Sequence, residues 1–142
     1  MTAPLPYWPT RTIAVLVTVD PAPHAIPVSA PVRAGDEAIL LSLHNSRDSL
    51  ARLQARSDVA LVILTEGNVA FTARGHARVV QAAMPGAPDY AAVRIDVTDV
   101  DDHVQPAFTV DAGVARTWID DNEKLALSER VTALQHLAEA ST

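Results

Sequence analysis

The sequence predicts a mainly β protein: a small closed barrel of six or seven strands with one short internal helix and one C-terminal helix. Short apolar segments, alternating or unbroken, recur along residues 12–100, with Pro-, Gly- and Asp-containing turns between them. Helical spacing is confined to residues 46–56 and to the end of the chain, which disfavours a β-α-β sheet.

"TIAVLVTV" (12–19) alternates, with Ile13, Val15, Val17 and Val19 sharing the face expected to be buried. Asp20 to Pro23 form a turn. "HAIPVSAPV" (24–32) alternates again, with Ile26, Val28, Ala30 and Val32 on one face and Pro27 and Pro31 on the other. Proline has no N–H for a ladder, so this strand is expected at an edge or bulged. After a turn at Ala34-Gly35-Asp36, "AILLSL" (38–43) reads as a central strand covered on both faces. A polar knot, "HNSRDS" (44–49), opens a short helix whose Leu50 and Leu53 face inward.

"DVALVIL" (58–64) is a second buried strand, and Glu66-Gly67-Asn68 a hairpin turn. "VAFTARGHARVVQ" (69–81) is a long strand with Val69, Phe71, Ala73, Ala77 and Val79 on one face. Thr72, Arg74, His76 and Arg78 lie on the other, and Gly75 marks a bulge or a close backbone approach. "PGAPD" (85–89) is a loop. "AAVRIDVTDV" (91–100) is a strand with Val93, Ile95 and Val97 inward, and "AFTVDAG" (107–113) a further short strand. The last helix begins at Asp120, three residues before Glu123, a variant of the capping box. Leu127, Val131, Leu134 and Ala138 form its buried stripe.

At 142 residues and 49% hydrophobic, the chain suits one domain, 1–142, with a real core. No apolar run is long enough to span a bilayer, and "MTAPLPYWPTRT" lacks the layout of a secretory signal, so a cytoplasmic protein is expected. The absence of cysteine excludes disulfides, thiolate nucleophiles and Cys-ligated zinc. The net charge of −6 argues against nucleic-acid binding. Residues 1–88 carry seven basic and six acidic side chains, residues 89–142 four and eleven. Ten of the eleven basic residues are arginine, whose planar fork suits phosphate and carboxylate, although a codon preference would leave the same mark.

No metal site is expected: the five histidines are scattered, and Asp99, Asp101, Asp102 and His103 read better as a solvated turn. No GxSxG elbow, dinucleotide fingerprint or P-loop is present. No catalytic residue is assigned; His44 is the one candidate for acid–base work, and a structural role suits it better. The knot has two readings. A helix N-terminus with Ser46 and Ser49 hydroxyls and Arg47 and Arg52 nearby suits an anion such as phosphate. In the plainer reading Asn45 or Ser46 caps the helix, Asp48 complements its dipole and the arginines are solvated.

The order of the pieces resembles the pyridoxamine 5′-phosphate oxidase-like split-barrel flavoproteins. The matching pieces are Pro27-Val28-Ser29, Leu40-Leu41-Ser42-Leu43, Ser46 to Leu53, Asp58-Val59-Ala60-Leu61 and Gly75-His76-Ala77, within residues 12–100. The resemblance implies a six-stranded antiparallel split barrel. It further implies a homodimer holding FMN, or in some branches a deazaflavin coenzyme or haem, at the dimer interface. By it, the backbone of Val28, Ser29 and Ala30 would line the ring edge. His44, Asn45, Ser46, Arg47 and Ser49, with Arg52, would hold the anionic tail, and Arg74 or Arg78 would assist. Trp118 would cover the ring from the partner subunit, or else pack the terminal segment. One departure stands out: Ser49 occupies a place where many members carry lysine. The C-terminal Arg-x-His signature of a true pyridoxamine phosphate oxidase is also absent.

The function implied is that of an oxidoreductase transferring hydride between a flavin or deazaflavin ring and a small-molecule substrate. The alternatives are a non-catalytic flavin-like ligand-binding protein on the same barrel, or a cofactor-free dimeric barrel whose acidic C-terminal part docks a basic partner.

Overall fold

Every alternating segment between residues 12 and 102 is a strand of one curled antiparallel sheet. The computed structural model describes residues 3–140. Its strands are β1 (Ile13–Thr18), β2 (His24–Ser29), β3 (Val32–Arg33), β4 (Ala38–His44), β5 (Asp58–Thr65), β6 (Val69–Gln81) and β7 (Tyr90–Asp102). Helix α1 (Asp48–Ala55) lies between β4 and β5, and α2 (Asp121–Ala140) ends the described chain. The order across the sheet is β2-β1-β5-β6-β7-β4-β3. The two edge strands are therefore consecutive in the chain, and the corner between them, Ala30-Pro31, is where the sheet curls back on itself.

That corner accounts for seven strands where six are expected. "HAIPVSAPV" is two strands, because Ala30 adopts a left-handed φ of 53° and Pro31 has no N–H to continue a ladder. The edge placement expected from the prolines holds: β2 pairs with β1 alone, with Pro27 opposite Val15.

Two further expectations are corrected. In β1 the buried residues are Ala14, Leu16 and Thr18, while Val15 is 39% exposed. Period two groups side chains by face without saying which face turns inward. The interior, already filled by Leu41, Leu61 and Phe71, accepts the smaller set. Residues 107–113 form no strand: a turn bridged at Gln105 and Phe108 is followed by irregular chain, held to the β5–β6 hairpin by paired bonds between Val110 and Asn68.

The barrel core contains Leu16, Ile39, Leu41, Leu43, Leu53, Leu61, Ile63, Phe71, Val93 and Ile95. Leu5 and Trp8 of the N-terminal segment close one end, with the Trp8 ring 5.7 Å from that of Phe71. A second cluster lies outside the barrel, where Leu134 and Ala138 of α2 cover Ala38, Leu40, Met84 and Ala92. This is why "AILLSL" is apolar throughout: its odd residues enter the barrel and its even ones meet α2. The expected stripe of Leu127, Val131, Leu134 and Ala138 is the buried face of α2, and Asp120 caps the helix by accepting the Asn122 N–H at 2.8 Å.

Gly75 sits at a register shift between β6 and β7, and a Cβ there would collide with the Asp96 carbonyl oxygen. Among the described residues no helix is long and apolar enough to cross a membrane.

Candidate functional site

The end of β4, the start of β7, strand β2 and helix α2 meet around a cavity of about 120 Å³. Its lining includes Val28, Ser29, Ser42, His44, Arg47, Tyr90 and Arg130. Ladder register does much of the positioning, because His44 lies opposite Tyr90 across the β4–β7 pair. The His44 ring stands edge-on to the Tyr90 ring at 5.0 Å, and the Arg130 guanidinium lies over that ring at 3.9 Å.

The knot is a tight turn rather than a side-chain cap. Arg47 N–H donates to the His44 carbonyl at 2.9 Å, and Asn45 is tied to the loop before β7 through Asp89 and Pro88. Ser46 turns back on His44: its N–H donates to Nδ1 at 3.1 Å, and its Oγ lies 2.7 Å from the same atom. This places the proton of a neutral His44 ring on Nε2. Helix α1 starts at Asp48 with Arg47 as its N-cap and no side-chain cap bond, so neither Asn45 nor Ser46 plays that part.

Of the residues expected at a cofactor site, the cavity gathers Val28, Ser29, His44 and Arg47. Ala30 faces the other way. It lines a larger cavity of about 520 Å³ between the N-terminal segment and α2, with Tyr7, Trp8 and Arg33. Arg33 there is already bonded to Asp36 and to the Leu5 carbonyl. Ser49 is buried, 1% exposed. Arg52 reaches the Asp20 carbonyl instead, at 3.4 Å. Arg74 is paired with Asp101 and Arg78 with Asp96, both on the outside of β6. Trp118 packs against Ala30, Leu127 and Val131 of its own chain.

Sequence reasoning missed Ser42, Tyr90, Arg116 and Arg130. The Arg130 Nε is buried without a hydrogen-bond partner, which costs about 1–3 kcal/mol unless something fills it. Arg116 Nη1 donates to Ser29 Oγ at 3.1 Å, and its Nη2 to the Arg11 carbonyl at 3.0 Å. Burial first, then the charge of Arg11, pushes the Arg116 guanidinium below its ordinary pKa. Arg130 had a readable signal. It lies three residues after Leu127 and four before Leu134, on the same helical face as the buried stripe.

No carboxylate lines the small cavity. With Arg47 and Arg130 in its wall, it favours an anion. Its volume equals about four waters' share of liquid, enough for a phosphate-sized group and far below the 300–1,000 Å³ of a typical ligand pocket. Among the described residues no cluster of His, Asp and Glu could hold a metal ion.

No family profile matches the chain. No curated protein matches it either. Solved structures do. HupZ of Group A Streptococcus superposes with a TM-score of 0.58 at 14% identity, over 72% of this chain and 90% of that one. A Listeria innocua protein provisionally named a pyridoxamine 5′-phosphate oxidase gives 0.56 at 11% identity, over 66% and 90%. An F420 reductase gives 0.55 at 13% identity, over 65% and 90%. At such identities the likeness is one of fold: the chain is built on the pyridoxamine 5′-phosphate oxidase-like split-barrel plan.

Proposed function

We propose that the chain binds a flavin-type cofactor, FMN or a deazaflavin coenzyme, and acts as an oxidoreductase on a small molecule. The observation that carries this is the cavity beside β2, walled by Arg47, Arg130 and His44 and free of carboxylates. The anionic tail fits there; a tricyclic ring does not. Arg47 and the His44 Nε2–H would hold the tail, and the backbone of Val28 and Ser29 would border the ring outside the cavity. When bound, such a ring supplies hydride transfer. The chain's own contribution is to orient the ring and to keep water from it.

A ring held outside the cavity needs a second wall, and a second copy of the chain can supply it. The outer face of β1 and β5 carries Ile13, Val15, Val17, Val62 and Leu64, with Val15 39% and Leu64 51% exposed. This apolar face runs into the site, because Ile13 is paired with Ser29. It supports a homodimer with the cofactor at its interface.

A second reading keeps the ligand and drops the chemistry. It is favoured by Ser49, which is buried where a lysine is expected. Titration of the purified protein with FMN and with the deazaflavin coenzyme, followed by absorbance, tests both readings. Micromolar binding of either, lost on Arg47→Ala, is expected; binding of neither overturns both. Turnover of a reduced cofactor with an electron acceptor then separates enzyme from carrier.

A further inference from the structure

The carboxylates of this acidic chain are spent unevenly on its arginines. Arg33, Arg56, Arg74, Arg78 and Arg94 each have an ion-pair partner. Arg11, Arg47, Arg52, Arg116 and Arg130 pair with no described carboxylate. Arg52 lies away, on the β1–β2 turn. Three of the other four surround Ser29, and the fourth, Arg11, is joined to them through Arg116. Arg47 and Arg130 share a cavity wall with Ser29, Arg116 bonds its hydroxyl, and Arg116 also bonds the Arg11 carbonyl. Arg11 in turn donates to Ser128 Oγ, two residues before Arg130 on α2. One of these cations, Arg130, is on helix α2; Arg47 immediately precedes α1, and Arg11 in a turn is tied to Arg116 on irregular chain by the bond to the Arg11 carbonyl.

Arg116 and Arg130 are partly buried, the charge of Arg11 acts on Arg116, and none of the four recovers lost hydration from a described carboxylate. The rings of Tyr90 beside Arg130 and Trp118 beside Arg116 offset part of that cost, and an anionic ligand would offset more. We propose that Arg47 with Arg130, and Arg11 with Arg116, form a two-part anion site about Ser29, which takes a ligand bearing two separate anionic groups. The first group sits in the small cavity, which is too small for both. The second, a phosphate or a carboxylate, lies on the Arg11 and Arg116 side. This deepens the cofactor reading and rests on it only for the ring: among flavin-type cofactors the site selects one whose tail carries more than a single phosphate. A net charge of −6 repels anions in general, so binding of this kind must come from the local cluster.

The test uses ring-free probes, inorganic phosphate and tripolyphosphate, by isothermal titration at fixed salt, followed by FMN and the deazaflavin coenzyme. Tripolyphosphate is expected to bind roughly tenfold or more tighter than phosphate, since charge-assisted bonds at a second place add to the first. Arg116→Gln should reduce that advantage to near unity while sparing phosphate, and Arg130→Gln should weaken both probes. Arg11→Asn is the second test of that side of the site. Asparagine tolerates the left-handed φ of 71° at this exposed position, so the fold should be kept while the charge and the bond to Ser128 are removed. Equal affinity for the two probes, or indifference to both Arg116→Gln and Arg11→Asn, overturns the two-part site. Tripolyphosphate binding that follows the arginines without binding of any ring supports the site and removes the cofactor reading. FMN binding untouched by all three substitutions does the reverse.

Discussion

Arg130, from the terminal helix, lies over Tyr90, from the seventh strand, with its guanidinium carbon 3.9 Å from the ring centroid. The ring shields the cation on one side, and His44 stands edge-on to the ring. This contact engages the cation without a carboxylate partner, which leaves Arg130 available to an anion in the cavity.

Replacing Tyr90 should therefore act through Arg130. Tyr90→Phe keeps the ring and should bind FMN or phosphate within about twofold of the parent. Tyr90→Ala removes a stacking interaction of about 0.5–2 kcal/mol and should weaken binding by roughly 3- to 30-fold. Titration of the three proteins decides. Equal losses for both variants would assign the effect to the phenol hydroxyl and not to the stack.

Gly75 marks a place where the β6–β7 ladder slips and the facing backbone leaves no room for a Cβ. Gly75→Ala must move the Asp96 carbonyl or break the neighbouring pairs, at a cost of about 1–3 kcal/mol. Gly67→Ala is the useful comparison, because a Cβ there meets nothing within 4 Å and only the positive φ of 79° resists it. Urea denaturation should rank Gly75→Ala as the more destabilised protein, and equal midpoints would show that the slip absorbs a methyl group.

The strands and the bulge at Gly75 were legible because period two and a lone glycine are local signals. Pro27 and Pro31 pointed to an edge for the same reason: a missing N–H is a property of the residue itself. The inward face of β1 was not legible, because "TIAVLVTV" is apolar on both faces and only the rest of the barrel decides between them. At the site, His44 and Arg47 were readable from a polar knot after a buried strand. Tyr90 was not, since only the β4–β7 register puts it beside His44. Arg116 and Ser29 are 87 residues apart, and nothing local links them.

The outer face of β1 and β5 gives a prediction about assembly. Leu64, 51% exposed, and Val15, 39% exposed, lie on a three-strand apolar surface with Val62 and Pro27. If that surface joins two copies, Val15→Lys with Leu64→Lys should place unpaired charges in the interface and convert a dimer to a monomer by light scattering. The same exchange on a free surface changes stability by no more than about 0.5 kcal/mol and leaves the mass alone. A parent protein that is already monomeric at micromolar concentration would remove the shared-site reading directly.

Asp96 ties β6 to β7 by accepting from Arg78 at 3.1 Å and from Arg94 at 2.8 Å. Burial opposes its ionisation, but the hydrogen bonds and charges of Arg94 and Arg78 outweigh it and hold the carboxyl below its ordinary 3.8. A carboxylate whose folded pKa is depressed contributes stability that is complete above the unfolded value and lost as pH falls through the folded one. Urea midpoints of the parent should therefore fall more steeply than those of Asp96→Asn as pH drops from about 5 through 3.8 and below. Asp96 is 47% exposed, so added salt should shrink the difference. Parallel curves for the two proteins would mean that both arginines find equal partners in solvent, and that this ion-paired side of β6 contributes nothing to stability beyond its backbone ladder.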